Sequence, residues 1–521
     1  MKTKSSFMRD NQGRTILGSA KEMAEWVKLG FKEQDEHKSP NNPLVQHFID
    51  FRKCVLYVSY PIDSQTHTSE IFNLCDIAGI VPGIDKVEDD PNFLFEVKLD
   101  IRFENSILYG NFFHYVRFRG TVNLDDAIVR GSFSCVKCLF DGIAYMQRTT
   151  LQGGYSFEQC KFTKGLVMSE VIVGGINANF NNCIIKEILS LKDANFVNSR
   201  IKNYTQLIEL TNSIVDNLSI SKINTDEIPL YIDKTSIRNL KMHDMKMNAA
   251  LGFYQCDLDG MITMVQDETK ENLRIKELIL HCCNVKAQYH IENSEIDKLS
   301  LTFDKIEDSG RFRISQCGVK ELIVGSTSVF GQLDIIENKI SSVDMESSCI
   351  HGYLSFQDNE VKKYEDRQTL RLLKNEALKI NDEVSAQQLY AKEMQLLLTD
   401  KSVSLWDKVS LWLNKLFSNF GETWGRAIVV TLGLSVVFTL LMLGFGSNKY
   451  MFDCAGEFIG FGAFVTVLLD SINVFSIPHF SDTIKGYDLN VFGQILYFVI
   501  KLVVAYGSYQ FVISFRKYGR K

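Results

Sequence analysis

Two ionisable side chains lie inside long apolar segments near the carboxyl end of the chain. Lys501 lies near the middle of the apolar residues 491–515, and Asp470 interrupts the apolar residues 458–475. A charge in hydrocarbon is costly unless it is paired or hydrated, so such residues often mark water-filled paths. Lys501 and Asp470 are therefore our candidate pore residues, and we expect Lys501 either to face a water-filled pore or to pair with Asp470. The alternatives are that Lys501 reaches the membrane surface or a polar groove between helices, and that Asp470 is solvated at the interface.

Cysteine and histidine residues form two short motifs that could bind a metal or carry redox chemistry. Cys135 and Cys138 form a C-x-x-C pair, and His281, Cys282 and Cys283 are consecutive. Neither motif has further ligands at a spacing typical of zinc sites, so we interpret these side chains as packing residues. The twelve cysteines show no disulfide-like framework and follow no secretory signal. We therefore predict free thiols, no metal site and no cofactor.

Catalytic signatures are missing from the sequence. It contains no phosphate-binding glycine loop with lysine, no H-E-x-x-H and no nucleophile elbow. The 521 residues carry a net charge of −6, which argues against a general basic surface for nucleic acid, and 45% of them are hydrophobic, which favours a folded core. We expect no catalytic residues, no enzymatic activity and no nucleic-acid partner.

Two apolar segments are long enough to cross a lipid bilayer. Residues 427–446 contain no charge, and residues 491–515 contain one. About 20 residues at about 1.5 Å each suffice for a hydrocarbon core of roughly 30 Å. The intervening residues 458–475 predict a re-entrant or interfacial segment, because Asp470 interrupts them. The carboxyl end is therefore expected to form a transmembrane hairpin.

Residues beside the two spans predict the orientation of the hairpin. Trp406, Trp412 and Trp424 precede the first span, as expected of residues at the membrane–water interface. Basic residues favour the cytoplasmic side. They flank both spans and are Lys408, Lys415, Arg426, Arg516, Lys517, Arg520 and Lys521. We therefore predict a multi-pass protein of the cell inner (plasma) membrane, with the N-terminal domain and the C-terminus in the cytoplasm.

A short pattern recurs between residues 103 and 190. Its unit is a small residue, any residue, a large apolar residue, any residue and glycine, as in SILYG at 106–110 and AIVRG at 127–131. The central apolar residues recur at steps of 10 to 12 and are Leu108, Phe118, Val129, Phe140, Leu151, Phe162, Val173 and Ile185. A second apolar residue lies between each pair, so the predicted inward positions alternate spacings of five and six. This periodicity predicts a solenoid with four-sided coils of about 22 residues and glycine at the corners.

These units resemble the pentapeptide-repeat family, whose repeat is a small residue, a polar residue, Leu or Phe, a polar residue and glycine. The resemblance implies a right-handed, four-sided β-helix. The polar second position is usually missing here, and every other unit carries one extra residue. A looser form of the signature, as in CDLDGM from Cys256 and NEVKKY from Asn359, extends the expected solenoid to about residue 363.

The carboxyl end resembles two-helix ion channels in layout, because a span, a pore-like loop and a second span follow one another. The potassium-filter sequence TVGYG is absent. The predicted fold class is mainly β, a right-handed β-helix followed by amphipathic helices and a transmembrane hairpin with a re-entrant-like segment. The predicted divisions are an N-terminal capping region at 1–100, the solenoid at 101–363, juxtamembrane helices at 364–425 and the membrane domain at 426–521.

Two classes of function fit this organisation, and a third finds no support in the sequence. The first is an oligomeric channel or membrane-permeabilising effector gated or assembled by the solenoid, since one two-helix hairpin cannot enclose a pore. The second is a membrane-anchored scaffold whose solenoid binds a protein partner. The third, an enzyme, has no sequence feature in its favour. The expected partners are the lipid bilayer, further copies of the chain and a protein or small-molecule signal on the solenoid.

Overall fold

The chain forms two compact units, Met1–Glu365 and Asp366–Lys521. The computed structural model describes residues 4–18, 20–36, 47–56, 79–87, 92–109, 113–174, 177–196, 207–223, 228–265, 273–445, 461–473 and 490–519. The first unit is a parallel β-solenoid and the second is helical, which confirms the predicted fold class at the level of a mainly β solenoid followed by helices.

Among the described residues, the first solenoid sheet has seven strands and the second has twelve. The seven strands are Thr15–Leu17, Cys54–Leu56, Ile107–Tyr109, Ile128–Arg130, Thr150–Leu151, Ile172–Val173 and Asn195–Phe196. The twelve strands are Phe113–His114, Phe133–Val136, Tyr155–Glu158, Asn177–Asn181, Leu207–Thr211, Leu230–Asp233, Lys246–Tyr254, Leu273–His281, Ser294–Thr302, Gly318–Gly325, Lys339–Asp344 and Glu360–Tyr364.

The third sheet covers two sides of the coil, because long strands such as Ile214–Ser221 pair with two shorter strands of the coil before. Its 24 strands are Phe48–Asp50, Ile84–Lys86, Phe95–Val97, Asp100–Arg102, Val116–Phe118, Val122–Asn123, Leu139–Phe140, Ala144–Tyr145, Lys161–Phe162, Leu166–Val167, Ile184–Ile185, Leu189–Lys192, Ile214–Ser221, Ser236–His243, Asp257–Leu258, Met261–Val265, Asn284–Val285, Gln288–Glu292, Lys305–Ile306, Arg311–Ser315, Ser328–Val329, Gln332–Ile336, Cys349–Ile350 and Tyr353–Gln357.

Strand pairing gives the length of a coil. Val122 pairs with Ala144, and Ile128 pairs with Thr150, so equivalent residues in these coils are 22 positions apart. Pairing between the named strands is parallel throughout the described residues, except where Ile84–Lys86 meets Phe95–Val97. Four short strands occur in one such coil, as the periodicity of the inward residues predicted.

Stacked apolar side chains fill the interior. All eight predicted core residues, from Leu108 to Ile185, are at most 2% exposed. The rings of Phe118, Phe140 and Phe162 stack face to face with centroids 4.8 and 4.6 Å apart. Each coil therefore buries its apolar residues against the equivalent residues of its neighbours, as expected of a solenoid.

Two corners of the coil share one local geometry, a residue in the left-handed region followed by an inward-pointing residue. Examples are Lys137 before Cys138 (φ 52°) and Gln159 before Cys160 (φ 53°). Both examples lie at the same corner, in successive coils. The inward residues at this corner stack from coil to coil, and we call them the cysteine ladder. Its rungs are Cys138, Cys160, Cys183, Ser213, Thr235, Cys256, Cys283, Asp304, Thr327 and Ser348.

Rungs of the cysteine ladder tie adjacent coils together through backbone carbonyls. The Cys138 thiol donates to the carbonyl of Phe113 (3.1 Å), and the Thr327 hydroxyl donates to that of Leu301 (3.1 Å). The opposite corner carries a second set near the carboxyl end of the solenoid, Ser294, Cys317, Asn338 and Asn359, which we call the asparagine ladder. Both ladders satisfy backbone oxygens that would otherwise be buried without a partner.

More of the repeat glycines allow adjacent coils to approach closely than adopt an unusual φ. Gly131 and Gly154 have φ of 101° and 82°, as the corner hypothesis requires. Gly120, Gly142 and Gly153 do not, and a Cβ at any of them would collide with backbone atoms of the preceding coil. Most left-handed corners are instead occupied by residues other than glycine. The prediction of glycine at the corners was therefore only partly correct.

Helices complete both units. In the first, a 3-10 turn (Lys4–Ser6) and α1 (Ala20–Glu36) precede the strands, and the Trp26 indole donates to the Asp50 carbonyl (2.8 Å) of an early coil. The second unit contains α2 (Arg367–Lys379), α3 (Glu383–Thr399), α4 (Leu405–Ser418), α5 (Trp424–Phe445), α6 (Phe461–Ile472) and α7 (Val491–Gly519).

Replacing Gly331 with alanine should destabilise the solenoid. Its Cβ would meet the carbonyl oxygens of Gly310 and Glu307, which belong to the backbone and cannot rotate away. We expect a loss of about 1–3 kcal/mol in the free energy of unfolding, the usual cost of overpacking. Gly325→Ala is the matched control, because its Cβ would lie 3.5 Å from the Thr302 methyl. Denaturation of the full-length protein measures both, and equal stabilities would contradict the close-approach role.

Candidate functional site in the helical unit

Two helices of the second unit, α5 and α7, are long and apolar enough to cross a membrane. Their mean hydropathy is 2.5 over Trp424–Phe445 and 1.6 over Val491–Phe515. Both carry large apolar side chains exposed on the outer faces of the helices, among them Val429, Val437, Phe492, Leu502 and Val512. The described part of α6 has 12 residues and a length of about 18 Å, less than a hydrocarbon core of roughly 30 Å. Of the predicted segment 458–475, residues 458–460 and 474–475 lie outside the described part of the chain.

Small residues bring α5 and α7 into close contact. Ala427, Thr431, Ser435 and Thr439 recur every fourth residue along the buried face of α5. Opposite them, Gly507 of α7 lies so close that a Cβ there would collide with the Thr431 hydroxyl. Small residues at such spacing allow helix backbones to approach closely and are enriched where membrane helices pack.

Lys501 holds the carboxyl end of α6. Its ammonium donates to the carbonyls of Asp470 (2.6 Å) and Asn473 (2.7 Å). The last carbonyls of a helix have no partner within the helix, and they carry its partial negative charge. The ammonium therefore satisfies orphan carbonyls and complements the helix dipole in one contact.

The carboxylate of Asp470 has a different principal contact. Its Oδ2 accepts a hydrogen bond from the Tyr497 hydroxyl (2.9 Å), one turn before Lys501 on α7. The ammonium of Lys501 also lies 5.1 Å from the centre of the Tyr497 ring. Asp470 and Lys501 are thus brought together as a polar cluster with Tyr497 and Asn473, while the ammonium binds the Asp470 backbone. The Tyr497 side chain also belongs to a buried apolar cluster, which contains Met442, Val467, Leu496, Ile500 and Val504.

Tyr497 and Asn473 were missed by the sequence reasoning. Tyr497 could have been found, because residues four apart share one face of a helix and Tyr497 precedes Lys501 by four. The bond from Lys501 to two backbone carbonyls could not, because it depends on where α6 ends.

A second polar cluster anchors the carboxyl end of α4 to α7. The side-chain oxygen of Asn414 accepts hydrogen bonds from the Tyr506 hydroxyl (2.9 Å) and the Gln510 amide (2.6 Å). The Ser418 hydroxyl donates to the side-chain oxygen of Gln510 (2.8 Å), and Ser418 is fully buried. The carboxyl end of α4 is therefore held against the second half of α7.

The three tryptophans predicted at an interface are exposed. Trp406 and Trp412 on α4 are 85% and 53% exposed, beside Leu405 and Val409. Trp424 begins α5 and meets the ring of Phe515 edge to face at 6.3 Å. The first turns of α4 therefore present an apolar, aromatic face that nothing in the described residues covers.

A buried ion-pair cluster holds α2 against α3. Glu393 is 2% exposed and accepts hydrogen bonds from Arg371 (2.6 Å) and Lys374 (2.8 Å). Burial opposes the charged form of Glu393, but the hydrogen bonds from Lys374 and Arg371 outweigh it and lower the pKa of this carboxyl. The role of these ion pairs is therefore to pack α2 against α3.

The cysteine motifs occupy core positions. Cys135 and Cys138 are buried, and burial raises the pKa of Cys135 to about 11. Cys283 is a ladder rung, Cys282 is the exposed left-handed residue before it, and the His281 ring is 2.9 Å from the Thr302 hydroxyl. Within the described residues, no group of three or more His, Cys, Asp or Glu could hold a metal ion.

No protein-family model matches the chain, and neither a curated protein nor a solved structure is significantly similar to it. The fold therefore defines its class, a parallel β-solenoid followed by a helical unit with two helices apolar enough to span a membrane.

Enlarging Gly507 should separate α5 from α7. Gly507→Leu would drive a side chain into Thr431, whereas Gly433→Leu places the same side chain on the exposed face of α5, where nothing lies within 4 Å. We expect the Gly507 variant to lower the thermal unfolding temperature in detergent and the Gly433 variant to leave it unchanged. The close-packing account fails if the two variants unfold at the same temperature.

Proposed function

We propose that the protein is an integral protein of the inner (plasma) membrane that forms an oligomeric channel or membrane-permeabilising pore, which the solenoid gates or assembles. The observation that carries this proposal is the end of α6 at Lys501.

The polar cluster lies near the middle of the apolar residues Val491–Phe515 of α7. Lys501 is ten residues from the start of α7, a rise of about 15 Å, or half of a hydrocarbon core of roughly 30 Å. With α7 across the bilayer, the last carbonyls of α6 lie near its midplane. A helix that ends at this depth is tolerated only inside protein or beside water. These features support a re-entrant α6.

The described residues of one hairpin do not enclose the cluster. Asn473 is exposed, and Asp470 and Lys501 are only partly buried. Their neighbours in sequence on the outer face, Leu469 and Leu502, are 62% and 55% exposed. Carbonyl and carboxylate oxygens in contact with lipid would be costly. Further copies that turn their α6 ends toward a shared aqueous path would remove that cost.

The juxtamembrane features fit a cytoplasmic solenoid. The exposed face of α4 carries Trp406 and Trp412, which suits the headgroup region, and its carboxyl end is fixed to α7. The basic residues before α5 and at the end of the chain favour the same side. In this arrangement α4 lies on the cytoplasmic surface, where a signal on the solenoid can reach the hairpin.

The second candidate, a membrane-anchored scaffold, is favoured by one observation. Both carbonyls at the end of α6 are already bonded to Lys501, so the ammonium can serve as a fixed clamp without any conducting path. In that case the solenoid binds a protein partner and the hairpin only holds it at the membrane.

Ion flux from liposomes that contain the full-length protein separates the two candidates. We expect flux from the wild type, and a change of roughly tenfold or more in Lys501→Met. Hydrogen bonds to a charged group contribute about 1.5–3 kcal/mol, and about 1.4 kcal/mol corresponds to a factor of ten.

Leu502→Met is the matched control, because it places the same side chain one residue away on the exposed face of α7. It should conduct like the wild type. Absence of flux from folded wild-type oligomers, across several ions, would contradict the pore and favour the scaffold.

A further inference from the structure

Asp304 is the exceptional rung of the cysteine ladder. The other nine rungs carry a thiol or hydroxyl that donates to a backbone carbonyl. From Thr235 onward, the accepting carbonyl follows a rule. It belongs to the residue three positions before the rung of the preceding coil, so that Thr327 donates to the Leu301 carbonyl, three residues before Asp304. The rule assigns the Leu280 carbonyl to Asp304. An ionised carboxylate has no proton to donate to it.

The surroundings of the carboxyl are incomplete for a charged group. Asp304 is 3% exposed, and its Oδ1 accepts a hydrogen bond from the Cys283 backbone N–H (2.7 Å). Its Oδ2 is buried and has no hydrogen-bond partner. A buried carboxylate oxygen in this position is costly, whereas a protonated one becomes a donor like the other rungs.

The asparagine ladder shows how a neutral side chain completes the same geometry. Asn338 Oδ1 accepts from the Cys317 backbone N–H (2.9 Å), as Asp304 does from Cys283. Its Nδ2 donates to the Ile314 carbonyl (3.0 Å). A protonated Asp304 is the closest equivalent of this amide.

Two titratable groups interact with the Asp304 carboxyl, the thiol of Cys283 and the phenol of Tyr289. A hydrogen bond with Cys256 and burial raise the pKa of the Cys283 thiol, and burial raises that of the fully buried Tyr289, so both groups are neutral near pH 7. Lys305 is next in sequence, but its ammonium bonds Glu307 (2.8 Å). Burial raises the pKa of Asp304 to about 7, and the hydrogen bonds from the backbone of Cys283 and Thr302 only partly oppose this rise.

The residue before Asp304 adds strain to the same corner. Phe303 has φ of 56° and is 62% exposed. The left-handed region is unfavourable for a bulky side chain, and such strain persists only where the surrounding structure maintains it. Strain and an unsatisfied carboxyl oxygen therefore meet at one corner of the coil.

We propose that Asp304 makes the solenoid sensitive to pH: the carboxyl is protonated while the coils of Cys283, Asp304 and Thr327 are closed, and its ionisation favours local opening of these coils. The folded-state pKa lies above the unfolded value, so the stabilising contribution is complete below about pH 4 and is lost as the pH rises toward 7. Above pH 7 no further change arises from this group.

Hydrogen exchange of the full-length protein, read by mass spectrometry and corrected for intrinsic rates, tests the proposal. Exchange in the strands from Asn284 to Val329 should increase by up to about tenfold per pH unit between roughly pH 4.5 and 6.5, the limit for one linked proton. In Asp304→Asn this dependence should fall below about twofold. Asn338→Asp should create a similar dependence around the asparagine ladder.

Infrared difference spectra between wild type and Asp304→Asn provide the second readout. A protonated carboxyl band that disappears near pH 7 is expected, and an ionised carboxylate at pH 5 would overturn the proposal. Exchange that is equally pH-dependent in wild type and Asp304→Asn would overturn it too. If Asp304→Asn does not fold, Asn338→Asp alone decides. The proposal concerns the solenoid only, so it stands or falls independently of pore formation.

Discussion

Backbone stacking of one coil on the next is the constraint on which the solenoid depends. Parallel pairing at a 22-residue spacing places equivalent residues directly above one another, as Val122 and Ala144 show. A side chain that fits one coil must therefore fit its neighbours, which explains the columns of phenylalanine, of glycine and of hydrogen-bonding rungs. Because each column repeats, a single rung such as Asp304 is bonded to both adjacent coils, through the backbone N–H groups of Cys283 and Ser328.

The helical unit meets a different constraint, since packing and hydrogen bonds must replace the hydrophobic effect between helices in lipid. Close contact at Gly507 and Thr431 supplies the packing. Bonds from Lys501 to the end of α6, and from Asn414 to Tyr506 and Gln510, supply the polar part. In the proposed arrangement, with the end of α6 near the midplane of the bilayer, the same features leave polar atoms that a second copy or water would cover.

Regular features of the fold were predictable from the sequence. The repeat predicts that its eight central residues, from Leu108 to Ile185, point inward, because the same spacing recurs in each coil of a solenoid. The glycine roles were not predictable, since Gly131 turns a corner while Gly142 admits a neighbouring backbone, and both look alike in the repeat. Lys501 and Asp470 were singled out by charge alone. Their bonding depends on where α6 ends, which the apolar composition of residues 458–475 does not reveal.

Water access to the end of α6 in the membrane tests the central claim most directly. Asn473→Cys in the full-length protein, reconstituted in liposomes, should react with a membrane-impermeant thiol reagent, whereas Val437→Cys on the outer face of α5 should not. Labelled peptides identified by mass spectrometry separate these sites from the native cysteines. Reaction at position 473 alone is the predicted result. Protection of position 473 in assembled, folded protein would contradict a hydrated path at the α6 end.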